Sequence, residues 1–385
     1  MFDFAMTPEQ KEMRAAVRAF TEREIVPVAE EYDRRGESPL HICHKFYAEG
    51  WMSRFLPDES GDSRPFLVDG SIVTEELAYG CAGVASIIML PIFFNRVTLF
   101  HLSGEVRAEF RQRLAEKPFI TSFAASEHEA GSDLLTIQTK ARRNKRGYVI
   151  NGRKAFSGNV RLASYVIVVA RTGPEETKST DAFSWFLVPM DKPGVVIREA
   201  WDTLGLRAMD LSPIDFEDVE IPESYRLGEE GQGLRMMAEH LNPSRTGIAA
   251  MAVGIARRAR DEVLKYGRTR KLYGDKLYKL QDYRFHIVEM EKDIAAARAL
   301  VWLSGLKHDQ GLDHSKEASI AKLFTGQMVM RVTGAASMMM GSLGYTRAAI
   351  VEKLLRDARH VAIVEGPEPV QKEMIFAEML RRGVY

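Results

Sequence analysis

The chain has 385 residues but only two cysteines, Cys43 and Cys81. Two thiols cannot build a disulfide framework or a four-thiolate metal site, and MFDFAMTPEQKEMRAAVRAF lacks the apolar core of a signal peptide. A reducing, cytoplasmic setting is expected. Net charge is missing as well: 53 lysines and arginines balance 53 aspartates and glutamates, so no global field attracts nucleic acid or an anionic membrane. No hydrophobic run is long enough to cross a bilayer; the greasiest stretch, GVASIIMLPIFF at 83–94, is too short and contains Pro91. His41, Cys43 and His44 have no spaced acidic or thiol partner to complete a metal site, so no metal is expected. Internal repeats and low-complexity tracts are also lacking. Apolar residues at 45% and charged residues at 28% match an ordinary globular chain, and the length suits two or three domains.

Apolar positions Met13, Val17, Phe20, Ile25 and Val28 recur at near-helical spacing behind Thr7-Pro8-Glu9, which resembles an N-cap with proline at the first helical position. Similar spacing runs through 46–52, 70–79, 83–100 and 105–116, so residues 1–118 read as a helical domain. From Phe119 the pattern becomes short β-branched and aromatic runs parted by Asn-Gly, Thr-Gly-Pro and Lys-Pro-Gly turns, which predicts a β-barrel or sandwich domain over 119–225. Residues 226–385 return to helical runs at 234–268, 281–309, 314–340 and 368–382, expected to pack as a four-helix bundle. The fold class is therefore α+β and multidomain. Because helices, strands and helices follow in blocks, a Rossmann sheet is not expected, and GEEGQG at 228–233 reads as a connector rather than a phosphate loop.

Seven segments, in order, resemble the acyl-CoA dehydrogenases, flavoenzymes of about this length. They are FAASEHEAGSDL (123–134), Asn151-Gly152-Arg153-Lys154, LGLR (204–207) with FEDVEIP (216–222), RTR (268–270) with Tyr273-Gly274 and Gln281, GSLGYTR (341–347), RDAR (356–359) and VEGPEPVQ (364–371). The resemblance covers nearly the whole chain. It implies FAD as cofactor, an acyl-CoA or other acyl-pantetheine substrate, an electron-transferring flavoprotein as partner, and a homotetramer built as a dimer of dimers.

Oxidising a saturated thioester to its 2-enoyl form needs a base for the α-proton facing an acceptor for the β-hydride. Glu365, at the end of the apolar run HVAIVEGP before Gly366-Pro367, is the expected base by resemblance; the local sequence alone favours a solvated loop glutamate. By resemblance its backbone N–H also serves the thioester oxyanion. A minority of the family carries its base just before the arginine of LNPSRTGIAAM; Ser244 stands there and cannot do that work. Asn242, Arg245, Gly366 and Ser132 are expected near the thioester and carrier. For the flavin, Phe123, Ala125, Ser126, Ser132, Phe156, Ser157 and Gly158 are expected from one subunit. Arg270, Tyr273, Gln281, Met338, Gly341 and Ser342 are expected to reach the FAD of a neighbour, with Pro367 and Pro369 also near it.

Departures from the family pattern are equally specific. Phe156-Ser157-Gly158-Asn159 stands where Trp-Ile-Thr-Asn is common, which leaves the flavin N5 partner to Ser157 or a backbone N–H. Pro367 removes a hydroxyl and a backbone donor, and Met338 replaces a usual glutamine. Arg96 is placed to reach a polar acyl tail, whereas Ala82 stands where glutaryl-type relatives carry their carboxylate-binding arginine. The expected activity is α,β-dehydrogenation of an acyl thioester. The alternatives are an oxygen-using oxidase or monooxygenase of the same fold and a non-catalytic homologue.

Overall fold

The computed structural model describes residues 5–58, 66–174, 179–381 and 383. The helical N-terminal part comprises α1 (Pro8–Phe20), α2 (Ala29–Arg35), α3 (Leu40–Ala48), α4 (Trp51–Phe55), α5 (Leu67–Gly80), α6 (Ala82–His101) and α7 (Gly104–Glu116). The cap expected at Thr7 is present: its hydroxyl accepts from the Gln10 N–H at 3.2 Å, and the Gln10 side chain accepts from the Thr7 N–H at 3.1 Å. Met13, Val17 and Phe20 then form the buried face of α1. Helix α6 is long and apolar enough to cross a membrane, but 72% of that window is buried inside the fold, so it serves as a core helix.

The strands are β1 (Ile120–Ala124), β2 (Lys140–Asn144), β3 (Gly147–Gly158), β4 (Ala163–Arg171), β5 (Phe183–Pro189), β6 (Val195–Ile197), β7 (Leu211–Pro222) and β8 (Arg226–Leu227). They join in the order β6-β7-β3-β2-β4-β5-β8, with β1 parallel to β4. Of the barrel or sandwich expected here, the described residues form no closed barrel. The end strands β6 and β8 have three and two residues and do not pair with each other among the described residues, so the sheet stays open. Strand periodicity decides what each face covers. Val166 and Val168 of β4 pack with Phe186 and Val188 of β5 in a core of the sheet's own, whereas Ile167, Val169, Trp185 and Leu187 join the main core shared with the helices.

The C-terminal part holds α8 (Gly233–Thr269), the short hairpin β9 (Lys271–Leu272) and β10 (Asp275–Lys276), α9 (Gln281–Asp309), α10 (Ser315–Met339), α11 (Val351–Ile363) and α12 (Glu368–Arg381). The sequence led to four helices; α11 is a fifth. Its buried Val351, Leu354, Ala358 and Val361 share one face. The last helix is described to Arg381, and Arg382 lies outside the described residues.

Two contacts lock this part to the rest. Gly254 of α8 lies so close to α5 that a Cβ there would run into the Glu75 carbonyl oxygen and stand 2.9 Å from the Ala78 Cβ. One turn on, Arg257 pairs with Glu75 at 2.5 Å and Glu76 at 2.7 Å, while Arg14 and Arg18 of α1 reach Glu76 at 2.8 and 2.5 Å. The arginines hold the Glu76 carboxyl below the usual range despite the opposing effect of its burial.

The second contact sets α11. The Leu206 N–H donates to Asp357 at 2.7 Å, Lys353 pairs with the same carboxylate at 2.5 Å, and Gly205 lies flat against the helix backbone. A Cβ at Gly205 would stand 2.6 Å from the Asp357 N and closer still to the Arg356 carbonyl. Gly205→Ala is therefore expected to destabilise the protein by about 1–3 kcal/mol, the usual cost of overpacking. Urea denaturation would measure it; an unchanged midpoint would show that the 204–207 segment yields freely.

Candidate active site

Helix α11 ends at Ile363, and the chain turns through Val364 into Glu365. Glu365 has φ +60°, a left-handed conformation uncommon for a residue with a side chain, and Gly366 follows at φ +96°. Gly366 must be small: a Cβ there would meet the Gln371 Nε2 at 2.8 Å and the Val370 Cγ1 at 3.0 Å. Gln371, fully buried, donates from Nε2 to the carbonyls of Glu365 and Gly366, both at 2.9 Å. Arg245 adds a donation from Nε to the Glu365 carbonyl at 3.2 Å, and its Nη1 donates to Asn242 at 3.0 Å. Asn242 in turn donates to the Ser315 hydroxyl at 3.0 Å. The strained turn is thus pinned from α8 and α12. Asn242, Arg245 and Gly366 do come together at Glu365.

The Glu365 side chain faces α8, where the Ser244 hydroxyl donates to Oε1 at 2.9 Å. Burial pushes its pKa above the usual carboxylate range, opposed by the Ser244 hydrogen bond and by the charges of Arg245 and Lys322. No group among the described residues accepts from the Glu365 backbone N–H. Pro243 breaks the hydrogen-bond ladder of α8 beside these residues, since it has no N–H to give. Ser244 also lines an apolar cavity of about 70 Å³ between α6 and α8, whose walls include Met89, Leu90, Phe93, Ile248 and Met251. Arg96 borders this cavity and a larger, more polar one of about 480 Å³ that reaches His240, His308 and Leu312.

The second group of expected residues lies on the sheet. Phe123 on β1 is half-buried, stacked on Phe94 with centroids 5.3 Å apart and edge-on to Trp185 at 5.1 Å. Ala125 and Ser126 follow it, half-buried, with both carbonyls engaged by Lys154 Nζ at 2.8 Å and the Ala155 N–H at 2.9 Å. Lys154 is fully buried and pairs with Glu127 at 2.9 Å; Glu127 also takes the Gln138 and Thr139 N–H groups at 2.7 and 2.9 Å. Burial lowers Lys154 to about 8, and Lys154 and the hydrogen bonds hold Glu127 below its ordinary value, so both are charged at neutral pH. This clamp, which shapes the 125–127 backbone, was not anticipated from sequence; its signal was the Lys154 of the Asn-Gly-Arg-Lys turn. Phe156 is exposed and stacks on Trp201 at 5.7 Å, Gly158 is half-buried, and Ser132 is exposed on the following loop.

Arg270, Tyr273, Gln281, Met338, Gly341 and Ser342 lie elsewhere, exposed on the C-terminal part. None of their side chains bonds a residue of the 123–126 or 156–158 segments. Pro367 and Pro369 stay with the Glu365 turn.

Family models for the N-terminal, middle and C-terminal domains of acyl-CoA dehydrogenase match residues 7–117, 122–219 and 231–380. The chain belongs to the acyl-CoA dehydrogenase family. It is 33% identical to probable acyl-CoA dehydrogenase YngJ of Bacillus subtilis over 98% of this chain and 100% of that one. Among solved structures, butyryl-CoA dehydrogenase from Megasphaera elsdenii superposes with a TM-score of 0.91 at 28% identity, over 99% of this chain and 100% of that one. The FAD complex of PigA, at 22% identity and covering all of both chains, shares the fold with a TM-score of 0.89. So does prolyl acyl carrier protein oxidase AnaB, at 24% identity and TM-score 0.89, over 98% of this chain and 100% of that one. Family membership implies a flavin, and the sheet has a polar group left over for one: the Ser157 hydroxyl is buried with no hydrogen-bond partner among the described residues.

Replacing Lys154 with methionine leaves Glu127 buried with its charge uncompensated. A loss of about 3–5 kcal/mol is expected, together with lowered flavin content. Denaturation midpoints and the ratio of visible to ultraviolet absorbance measure both; a variant as stable and as yellow as the parent would rule out the clamp.

Proposed function

We propose that this enzyme dehydrogenates a short acyl thioester, on CoA or another pantetheine carrier, to its trans-2-enoyl form. The observation that carries the reading is the double role of Ser244, whose hydroxyl holds the Glu365 carboxylate and which also lines the apolar cavity. A base and an acyl slot thereby share one wall. The cavity is lined mainly by apolar side chains, and the likeness to butyryl-CoA dehydrogenase favours a short acyl chain in it.

In this reading the Glu365 carboxylate takes the α-proton, and its raised pKa makes it a stronger base than a solvated glutamate. The free Glu365 N–H donates to the thioester oxygen as negative charge grows there. Asn242, Arg245 and Gly366 keep the turn in register at the thioester end, with Ser132 flanking the carrier. FAD supplies the hydride acceptor. Phe123, Ala125, Ser126, Phe156, Ser157 and Gly158 would hold it from this chain, the Ser157 hydroxyl replacing the family's usual threonine.

Arg270, Tyr273, Gln281, Met338, Gly341 and Ser342 would complete the flavin site of a neighbouring copy, and their exposure supports this. So does the run of bare apolar side chains on the same part: Tyr273 is 93%, Met338 63% and Val288 61% exposed. A homotetramer passing electrons to an electron-transferring flavoprotein follows from the family.

Anaerobic titration with straight-chain acyl-CoA thioesters tests the reading: butyryl-CoA is expected to bleach the flavin band and palmitoyl-CoA to leave it. Glu365→Gln is expected to keep FAD and lose about 10²–10⁴-fold in turnover. Retained turnover in that variant, or a yellow protein that no thioester bleaches, would overturn it. Stoichiometric peroxide in air would point to the oxidase alternative.

A further inference from the structure

Arg245 holds the Glu365 carbonyl, and Asn242 holds Arg245; the group that holds Asn242 lies on another helix. It is Ser315, the first residue of α10, whose hydroxyl stands 3.0 Å from the Asn242 Nδ2 and 2.8 Å from the Asp313 Oδ1. The direction of each hydrogen bond in this chain is fixed by what each group can do. A guanidinium has donors only, so Asn242 must turn its oxygen to Arg245 and its NH2 toward Ser315. The Ser315 hydroxyl accepts from that NH2, and its own proton goes to the Asp313 carboxylate. The chain runs from a charged donor to a charged acceptor, and each hydrogen bond in such a chain strengthens the next.

The start of α10 is in turn fixed on α8. Asp313 also accepts from the Ser315 N–H at 3.0 Å, which ties down the first turn, and it pairs with Arg381 at the end of α12. Beside it, the His314 Nδ1 lies 3.1 Å from the Ser304 hydroxyl, which lies 2.7 Å from the hydroxyl of Thr246. Thr246 follows Arg245 in α8 and donates to the Asn242 carbonyl at 3.1 Å. The first residues of α10 therefore reach α8 at Asn242 and, through Ser304, at Thr246, the two residues that flank Arg245 in this network.

We propose that Ser315 is a positioning residue for the reaction: its hydroxyl sets the Asn242 amide so that Arg245 stays on the Glu365 carbonyl and the Glu365 side chain keeps one direction. This role rests on Glu365 being the base. Glu365 occupies a left-handed conformation that a residue with a side chain disfavours, and such a conformation persists only when its surroundings pin it. Gln371 and Arg245 both donate to its carbonyl. Without the Ser315 hydroxyl the Asn242 NH2 loses this acceptor, and Arg245 loses a partner of fixed orientation.

Anaerobic stopped-flow bleaching of the FAD-loaded enzyme by butyryl-CoA tests this, because the rate at saturation and the half-saturating concentration are read separately. Ser315→Ala is expected to slow bleaching at saturation about 5–20-fold and to move the half-saturating concentration by less than about twofold, the pattern of a group that acts on the reacting geometry rather than on binding. Ser315→Thr keeps the hydroxyl and is expected to stay within about twofold of wild type in both. Wild-type speed in Ser315→Ala, a loss confined to the half-saturating concentration, or a threonine variant as slow as the alanine one overturns the proposal. Glu365→Gln is run alongside: fast bleaching there overturns the base reading, whereas an inert Glu365→Gln beside a fast Ser315→Ala removes the role of Ser315 alone. If Ser315→Ala fails to load FAD, Ser315→Cys, whose sulfur is a weak acceptor in the same place, is read instead, with the same expected loss and the same refuting result.

Discussion

Two adjacent glutamates on α5 hold this molecule together. Glu75 and Glu76 receive arginines from α1, α8 and α9, including Arg298 at 2.8 Å, and they do so where Gly254 lets α5 and α8 touch backbone to side chain. The contact leaves no freedom to slide, because the ion pairs fix the helices along their axes and the glycine fixes their separation. Breaking such a buried pair typically costs 3–5 kcal/mol. Everything on α8 inherits that placement. Ser244 and Arg245 lie three turns toward its N-terminus, and the groove between α6 and α8 takes its width from the same packing.

The second consequence concerns charge. The site is assembled so that a carboxylate can be dry without being abandoned. Its backbone is held by Arg245 and Gln371, its oxygen by Ser244, and the end of α11 aims it at α8. The middle sheet repeats the device with opposite sign. Lys154, fully buried, is kept charged by Glu127 and uses its remaining donor capacity to set the Ala125 carbonyl. In both places an ion is used to hold backbone, and the neighbouring atoms become available to a ligand.

Much of this was legible in the chain. The Thr7 cap, the block order of helices and strands and the Glu365 turn all have local signals, and the family strings fall on the elements expected of them. What escaped has a common cause. Ser244 was read only as a residue that cannot be a base, because its bond to Glu365 spans 121 residues. The Glu127–Lys154 clamp spans 27 and crosses from a loop to a strand. Sheet closure depends on edge strands of two and three residues, too short to announce their pairing. Helix α11 differs: Val351, Leu354, Ala358 and Val361 are spaced for a helix, but it is only 13 residues long and the RDAR string interrupts its apolar face with charge.

The left-handed backbone of Glu365 sets the protein's fitness for use against its robustness. A side chain in that conformation costs roughly 1–2 kcal/mol that glycine would not, and taking its carboxylate out of water costs more. A random search for heat-resistant forms of this enzyme would therefore find glycine at position 365 among its easiest gains, and with Glu365 as the proposed base that gain would be inert. The same arithmetic sorts distant copies of the fold: a chain with glycine at this turn carries no such strain there, and any base it uses must come from another element.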